Sequence, residues 1–299
     1  MDRKMIEVDR SGTRSVCLAV RHVVCRAART LASPDLSDTA VHEARKDIKR
    51  SRAALRLLRP ALGESIYRRE NTVLRDVSHS LNAARDAKVL MQTLQSLRRN
   101  HRALRRDAEV ASLLRSLHAD RAALRRRLRD HRAQLVRTRG ALEQLCNRVT
   151  QWRVGAHGWS VLGPALKRIY KSGRRALPDR PRPTNRALHQ WRKKVKYLRY
   201  ALEILTPMRP GRLARLVRQA GQLTDSLGDA HDLAVLAARA RLYAKSNRTD
   251  LRKLFTIIAA QRQRLSLEAL SSGARLYHVE PNDWERPLQH YWIRWRRAR

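Results

Sequence analysis

The chain has 299 residues, with 66 Lys and Arg against 26 Asp and Glu, a formal net charge of +40, and 42% hydrophobic residues. That apolar share at that length excludes a disordered basic tail and permits a buried core, while the charge points to a polyanion: nucleic acid, anionic lipid or a phosphate polymer. Arginine accounts for 55 of the cations, an excess that base composition also produces, so the charge alone selects no ligand.

Glycine (11) and proline (10) are sparse, Phe occurs once, and apolar residues recur three and four apart, the helical period. The expected fold class is all-α. Residues 1–10 read as an N-terminal tail, lacking the apolar stretch and cleavage site of a signal peptide. Helices are predicted over 13–31, 38–59, 64–100, 102–153, 161–177, 184–206, 210–245, 248–273 and 282–298. Breakers stand at Ser33-Pro34, at Pro60 with Gly63, at Gly155 to Gly158, at Pro178 to Pro183, at Pro207 to Gly211, and at Gly273 and Pro281. No apolar run reaches the roughly 18 residues of a membrane span. A cytoplasmic protein with no membrane partner is expected.

An internal repeat organises the chain. Residues 41–55, VHEARKDIKRSRAAL, align without a gap on residues 188–202, LHQWRKKVKYLRYAL, each 147 positions further on. The match pairs His42 with His189, Arg45 with Arg192, Lys46 with Lys193, Lys49 with Lys196 and Arg52 with Arg199. Ser80 to Asp86 aligns on Ser226 to Asp232 at a spacing of 146, which sets Arg85 against His231. Such a spacing predicts duplication: two antiparallel, four-helix-like bundles, about 11–153 and 160–299, related by a pseudo-two-fold axis.

On a helical wheel, Val41, Ala44, Ile48, Ser51, Leu55 and Leu58 form one apolar stripe. His42, Arg45, Lys46, Lys49, Arg52 and Arg56 form a second stripe with no acid among them. Leu188, Trp191, Val195, Leu198, Leu202 and Leu205 repeat the first; His189, Arg192, Lys193, Lys196 and Arg199 repeat the second. A solvated face mixes signs, as Glu109 and Asp120 do elsewhere, and drifts between copies. Five matched cationic or imidazole positions on two helices point instead to a shared channel that an anion neutralises.

The histidines lack an HExxH arrangement and read as hydrogen-bond donors to that anion, with no metal site expected. Asp225, Asp229, His231 and Asp232 have the composition of a divalent site, but their helical spacing beside Gly228 fits pairing with Arg or Lys better. Cys17, Cys25 and Cys146 form no CxxC pair, and their odd count predicts reduced, buried thiols and no disulfide framework.

The segments VHEARKDIKRSRAALRLL and LHQWRKKVKYLRYALEIL, the stretch Leu81 to Asp86, LGDAHD at Leu227 to Asp232, and the closing PNDWERPLQHYWIRW resemble the CHAD domain, the conserved histidine α-helical domain. The resemblance covers about residues 11–299 as one domain and implies a two-bundle helical fold around a basic central pore. It further implies binding of long-chain inorganic polyphosphate, often at polyphosphate granules, without hydrolysis and without a cofactor. Carried over by motif position, the pore is expected to be lined by His42, Arg45, Lys46, Lys49, Arg52, His189, Arg192, Lys193, Lys196 and Arg199, with Arg85 and His231 as further candidates. Glu203 stands where the first copy has Arg56, so that turn is expected at the pore's edge or outside it.

Two rival functions are weighed against this. A non-specific nucleic-acid binder fits the charge, with outer arginines such as Arg121, Arg125, Arg126 and Arg127 as contacts, but no helix-turn-helix, zinc-finger or stacking pattern accompanies it. A phosphoanhydride enzyme lacks a GxxxxGK[ST] loop and an acidic set arranged for Mg²⁺, so no catalytic residue is expected.

Overall fold

A computed structural model of the chain describes residues 12–33, 37–130, 132–154 and 158–298. The expected tail over 1–10 and part of the expected joint, residues 155–157, lie outside the described residues. All described regular structure is helical: α1 (Gly12–Leu31), α2 (Asp38–Ser80), α3 (Asn82–Asn100), α4 (Arg102–Arg105), α5 (Ala108–Asp130), α6 (Arg132–Thr150), α7 (Gly158–Arg175), α8 (Asn185–Leu205), α9 (Pro210–Asn247), α10 (Arg252–Leu276) and α11 (Pro281–Arg297), with a 3₁₀ turn at Thr206–Met208. None of these helices is long and apolar enough to cross a membrane.

The repeat is visible in how the two basic helices begin. Ser37 accepts a hydrogen bond from Ala40 N at 3.1 Å, and Thr184, 147 positions later, accepts one from Ala187 N at 3.2 Å. Each hydroxyl satisfies one of the orphan donors of a helix N-terminus, so α2 and α8 start in the same register relative to their basic stripes. The apolar stripes face inward as the sequence predicts: Ile48, Leu55, Leu58, Trp191, Val195, Leu198 and Leu202 are all at most 1% exposed. Burying Trp191 or one of the leucines contributes about 2–3 kcal/mol from apolar area alone.

α2 turns back on itself at Gly63, whose φ of 76° and ψ of 164° leave the helical region. A positive φ is easy for glycine and costly for a residue carrying Cβ. The arm after Gly63 folds alongside the arm before it, so that Arg52 Nε donates to Asn71 Oδ1 at 3.1 Å and Arg45 Nη1 to Ser78 O at 3.4 Å. This hairpin matches the predicted break between 59 and 64.

Two sequence expectations are corrected. The helix predicted over 64–100 breaks at Leu81, where φ −95° and ψ 6° separate α2 from α3. The helix predicted over 102–153 is interrupted between Arg105 and Ala108, where Asp107 caps α5 by accepting from Val110 N at 3.0 Å; residue 131 of that span lies outside the described residues. Neither Leu81 nor the Arg106-Asp107 step carries a Gly or Pro.

Two apolar clusters hold the helices together. The larger joins α1, α2, α6, α7, α8, α11, the first half of α9 and the end of α10; the smaller joins α3, α4 and α5 to the second half of α9 and the start of α10. Each therefore draws residues from both halves of the chain. α1 packs on α2 and α6, and there the thiol expectation is overturned for two of three cysteines. Cys25 and Cys146 form a disulfide with Cα atoms 5.6 Å apart, a separation the bond accepts. Only Cys17 is a free thiol among the described residues, and burial pushes its pKa up to about 12.

Candidate functional site

The two arms of α2, together with α3, α8 and α9, enclose a cavity of about 560 Å³. Among the described residues its lining carries seven Lys or Arg side chains, Arg45, Lys49, Arg52, Arg75, Arg192, Lys193 and Lys196, with His79, His189 and His231 and the carboxylate of Asp232; Arg75 is paired with Asp76 at 2.8 Å. Opposed charges do not balance there, and like charges brought together raise the free energy of the unliganded fold.

Matched residues of the repeat reach this cavity together. Arg45 and Arg192 both line it, and both guanidinium groups are steadied by a main-chain oxygen: Arg45 Nη1 donates to Ser78 O at 3.4 Å, Arg192 Nε to Thr224 O at 3.5 Å. Ser78 and Thr224 are themselves 146 positions apart, the spacing that relates Ser80 to Ser226. Arg192 lies flat on α9 because residue 228 is glycine; a Cβ there would stand 2.8 Å from Arg192 Nη2. Lys49 and Lys196 form a second matched pair on the lining.

Of the twelve residues expected at the pore, eight line the cavity: Arg45, Lys49, Arg52, His189, Arg192, Lys193, Lys196 and His231. Three of the others are placed differently. His42 is exposed and off the lining, and Lys46, also off the lining, is paired with Glu43 at 3.1 Å. Arg199 is drawn away by acids: its Nε donates to Glu203 Oε1 at 3.2 Å and its Nη1 approaches Asp225 at 3.8 Å. Its counterpart Arg52 has Arg56 at i+4 instead of an acid, and remains on the lining. The side chain of Arg85 lies outside the described residues, as do those of Arg125 and Arg127.

The structure adds wall residues that the repeat did not mark. Arg75, Ser78 and His79 come from the second arm of α2, Val89 and Leu90 from α3, Tyr197 and Tyr200 from α8, and Val235 from α9. Arg75 and His79 stand at i, i+4, a visible signal of a shared face, but only the turn at Gly63 brings that face to the basic stripe. Tyr197 is backed by Arg56, whose guanidinium carbon sits 3.6 Å from the ring centroid. Burial lowers the pKa of Arg56, with Tyr197 and Tyr67 opposing that shift.

The histidines meet in pairs across helices. His189 of α8 and His231 of α9 place their ring centroids 4.5 Å apart. Burial, then His231 and the cations Lys193, Arg192 and Lys196, push the His189 pKa down to about 4, so the ring is neutral at pH 7. Asp229, beside this pair on α9, has its pKa raised by burial and by the neighbouring Asp232 and Asp225. Among the described residues no group of three His, Cys, Asp or Glu is placed to hold a metal ion.

An all-helical fold, a doubled basic motif and a cation-lined cavity between the motif's two copies coincide with one family. The chain belongs to the CHAD domain family, whose profile matches residues 15–241. Among solved structures it is similar to PptA from Streptomyces chartreusis, with a TM-score of 0.62 and 18% identity, covering 89% of this chain and 99% of that one, a likeness of fold. No curated protein matches the sequence.

Proposed function

We propose that the chain binds long-chain inorganic polyphosphate in the cavity between α2, α3, α8 and α9, holding the polymer without hydrolysing it. The observation that carries this reading is the excess of cations among the described lining residues: seven guanidinium and ammonium groups, one of them, Arg75, held by Asp76, and the carboxylate of Asp232 bound a space of about 560 Å³. Membership of the CHAD family supports the same ligand. Arg forks and Lys points make charge-assisted hydrogen bonds to phosphoryl oxygens, and release of condensed counterions drives association. A linear polymer with a charge on every unit engages several of these groups at once, so affinity grows with chain length.

Duplication gives the site its form in this reading. Matched cations at Arg45 and Arg192 and at Lys49 and Lys196 act as two halves of one track, related by an approximate two-fold axis. In the cell such a protein would act in the cytoplasm as a targeting or scaffolding element at polyphosphate granules.

The test is affinity for polyphosphates of graded length at physiological salt, with duplex DNA as competitor. The proposal expects affinity to climb with length and DNA to displace long chains poorly. Equal competition by DNA would favour a non-specific nucleic-acid binder using the outer arginines.

A further inference from the structure

His189 and His231 share the cavity wall with cations on their own and facing helices, and their rings stand 4.5 Å apart. From α8 the pair is faced by Arg192, Lys193 and Lys196, and from the two arms of α2 by Arg45, Lys49, Arg52, His79 and Arg75, the last paired with Asp76. From α9 the lining adds one acid, Asp232, with Asp229 close behind it; the described lining of α3 is Val89 and Leu90, which do not titrate. Nδ1 of His189 is buried and has no hydrogen-bond partner among the described residues. A proton added to this pair in the free protein meets mostly like charge.

Phosphoryl oxygens in the same space reverse the local field. An imidazolium then gains a charge-assisted hydrogen bond where it previously faced repulsion. We propose that polyphosphate capture in this cavity is coupled to proton uptake by the His189–His231 pair, so that acidification tightens binding and alkalinisation loosens it. The inference rests on the polyphosphate reading of the site.

The direction follows from linkage. A ligand that raises a group's proton affinity is bound more tightly wherever the free protein is deprotonated and the complex is protonated. For His189 the free-protein limit of that window is about 4, the value to which burial and its neighbours depress it. The two rings are close enough to titrate as a unit, so the proton belongs to the pair and not to one ring. Each proton gained steepens the affinity by up to about tenfold per pH unit inside the window.

The experiment is calorimetric titration of the full chain with long-chain polyphosphate at pH 5.5, 6.5 and 7.5 and fixed ionic strength. Two buffers of different ionisation heat at pH 6.5 report the protons exchanged, and long chains keep the titrating terminal phosphates a small fraction of the ligand. The wild type should bind about tenfold or more tightly at pH 5.5 than at pH 7.5, with net uptake of about one proton per pair engaged. The double variant His189→Gln with His231→Gln, checked for helicity by circular dichroism, should lose most of the slope and the uptake, whereas His42→Gln, at an exposed position off the lining, should keep both. Tight wild-type binding with neither slope nor uptake would overturn the coupling while leaving the polyphosphate reading in place. An unchanged slope in the double variant, or its loss in His42→Gln, would also overturn it by moving the proton to another group. Absence of binding at every pH would contradict the polyphosphate reading, and the coupling with it.

Discussion

The first arm of α2 and the helix α8 carry one aligned basic sequence pattern in different surroundings. Both begin on a hydroxyl cap, and both send an arginine and a lysine, Arg45 with Lys49 and Arg192 with Lys196, into the cavity. They part at the remaining matched positions. Arg52 lines the cavity while Arg199 is held by Glu203 and Asp225, and His189 lines it while His42 is exposed. Glu203 also accepts from Arg50 of α2 at 3.4 Å, and Arg50 in turn pairs with the buried Asp47, which binds Arg26 of α1. The acid that removes Arg199 from the cavity therefore ties the two basic helices together. A repeated motif sets which residue types stand on a face; the neighbours of that face decide which charges remain available to a ligand.

The largest expected effect strikes what the copies share. Charge reversal at both Lys49 and Lys196 should weaken polyphosphate binding by about 100-fold or more, since charge-assisted hydrogen bonds are worth about 1.5–3 kcal/mol each and reversal adds repulsion. The melting temperature should hold or rise, because relief of like-charge crowding stabilises the free fold. A fluorescence-polarisation titration beside a thermal melt reads both quantities, and undiminished binding would end the shared-track account.

Between the copies, His189→Ala should reduce affinity severalfold at pH 6, whereas His42→Ala should change it by less than about twofold. Equal losses would mean that the exposed histidine also reaches the ligand. The reverse change, Glu203→Gln, releases Arg199 toward the cavity and should raise affinity by about threefold, one partly screened charge's worth. The same substitution removes the link to Arg50, so a lower melting temperature should accompany the tighter binding. Loss of affinity in that variant would show that holding the helices together matters more than the charge set free.

A smaller effect is expected in the free protein as pH falls. The folded-state pKa of His189 is about 4, below the 6.5 of an unperturbed histidine, so between these values the unfolded chain binds more protons. The stabilising contribution of this neutral ring is complete above pH 6.5 and is lost on acidification toward pH 4. Melts from pH 7 to pH 4.5 should show a decline that His189→Gln makes shallower, and saturating polyphosphate should reverse it.

Helical phase made much of the fold, and much of the make-up of the cavity wall, legible in the sequence. Apolar and basic stripes could be separated on 41–58 and 188–205 without coordinates, and Pro60 with Gly63 marked the turn of α2. The break at Leu81 carried no such signal, because a tight turn there needs neither a positive φ nor a proline. Arg75, His79, Val89 and Leu90 were illegible as wall residues for a different reason. Their helices reach the cavity through long-range packing, and no spacing along the chain encodes that approach. Arg199 stands off the lining because Glu203, one turn further along α8 where the first copy has Arg56, holds its guanidinium, a competition that helical phase alone does not display. The bond between Cys25 and Cys146 spans 121 positions and depends on α1 lying against α6. A thiol count on the denatured, non-reduced protein should find one reactive cysteine of three.

The account's central claim is where the polymer lies, and lysine acylation footprinting with mass spectrometry tests it most directly. Lys49, Lys193 and Lys196 line the cavity, whereas Lys46 is off the lining and paired with Glu43, and Lys245 and Lys253 are exposed on α9 and α10. Saturating long-chain polyphosphate should protect the first three at least about tenfold more than the last three, the difference that a ligand confined to one charged cavity imposes. Protection spread evenly over all six, or concentrated on Lys46, Lys245 and Lys253, would contradict binding in the cavity.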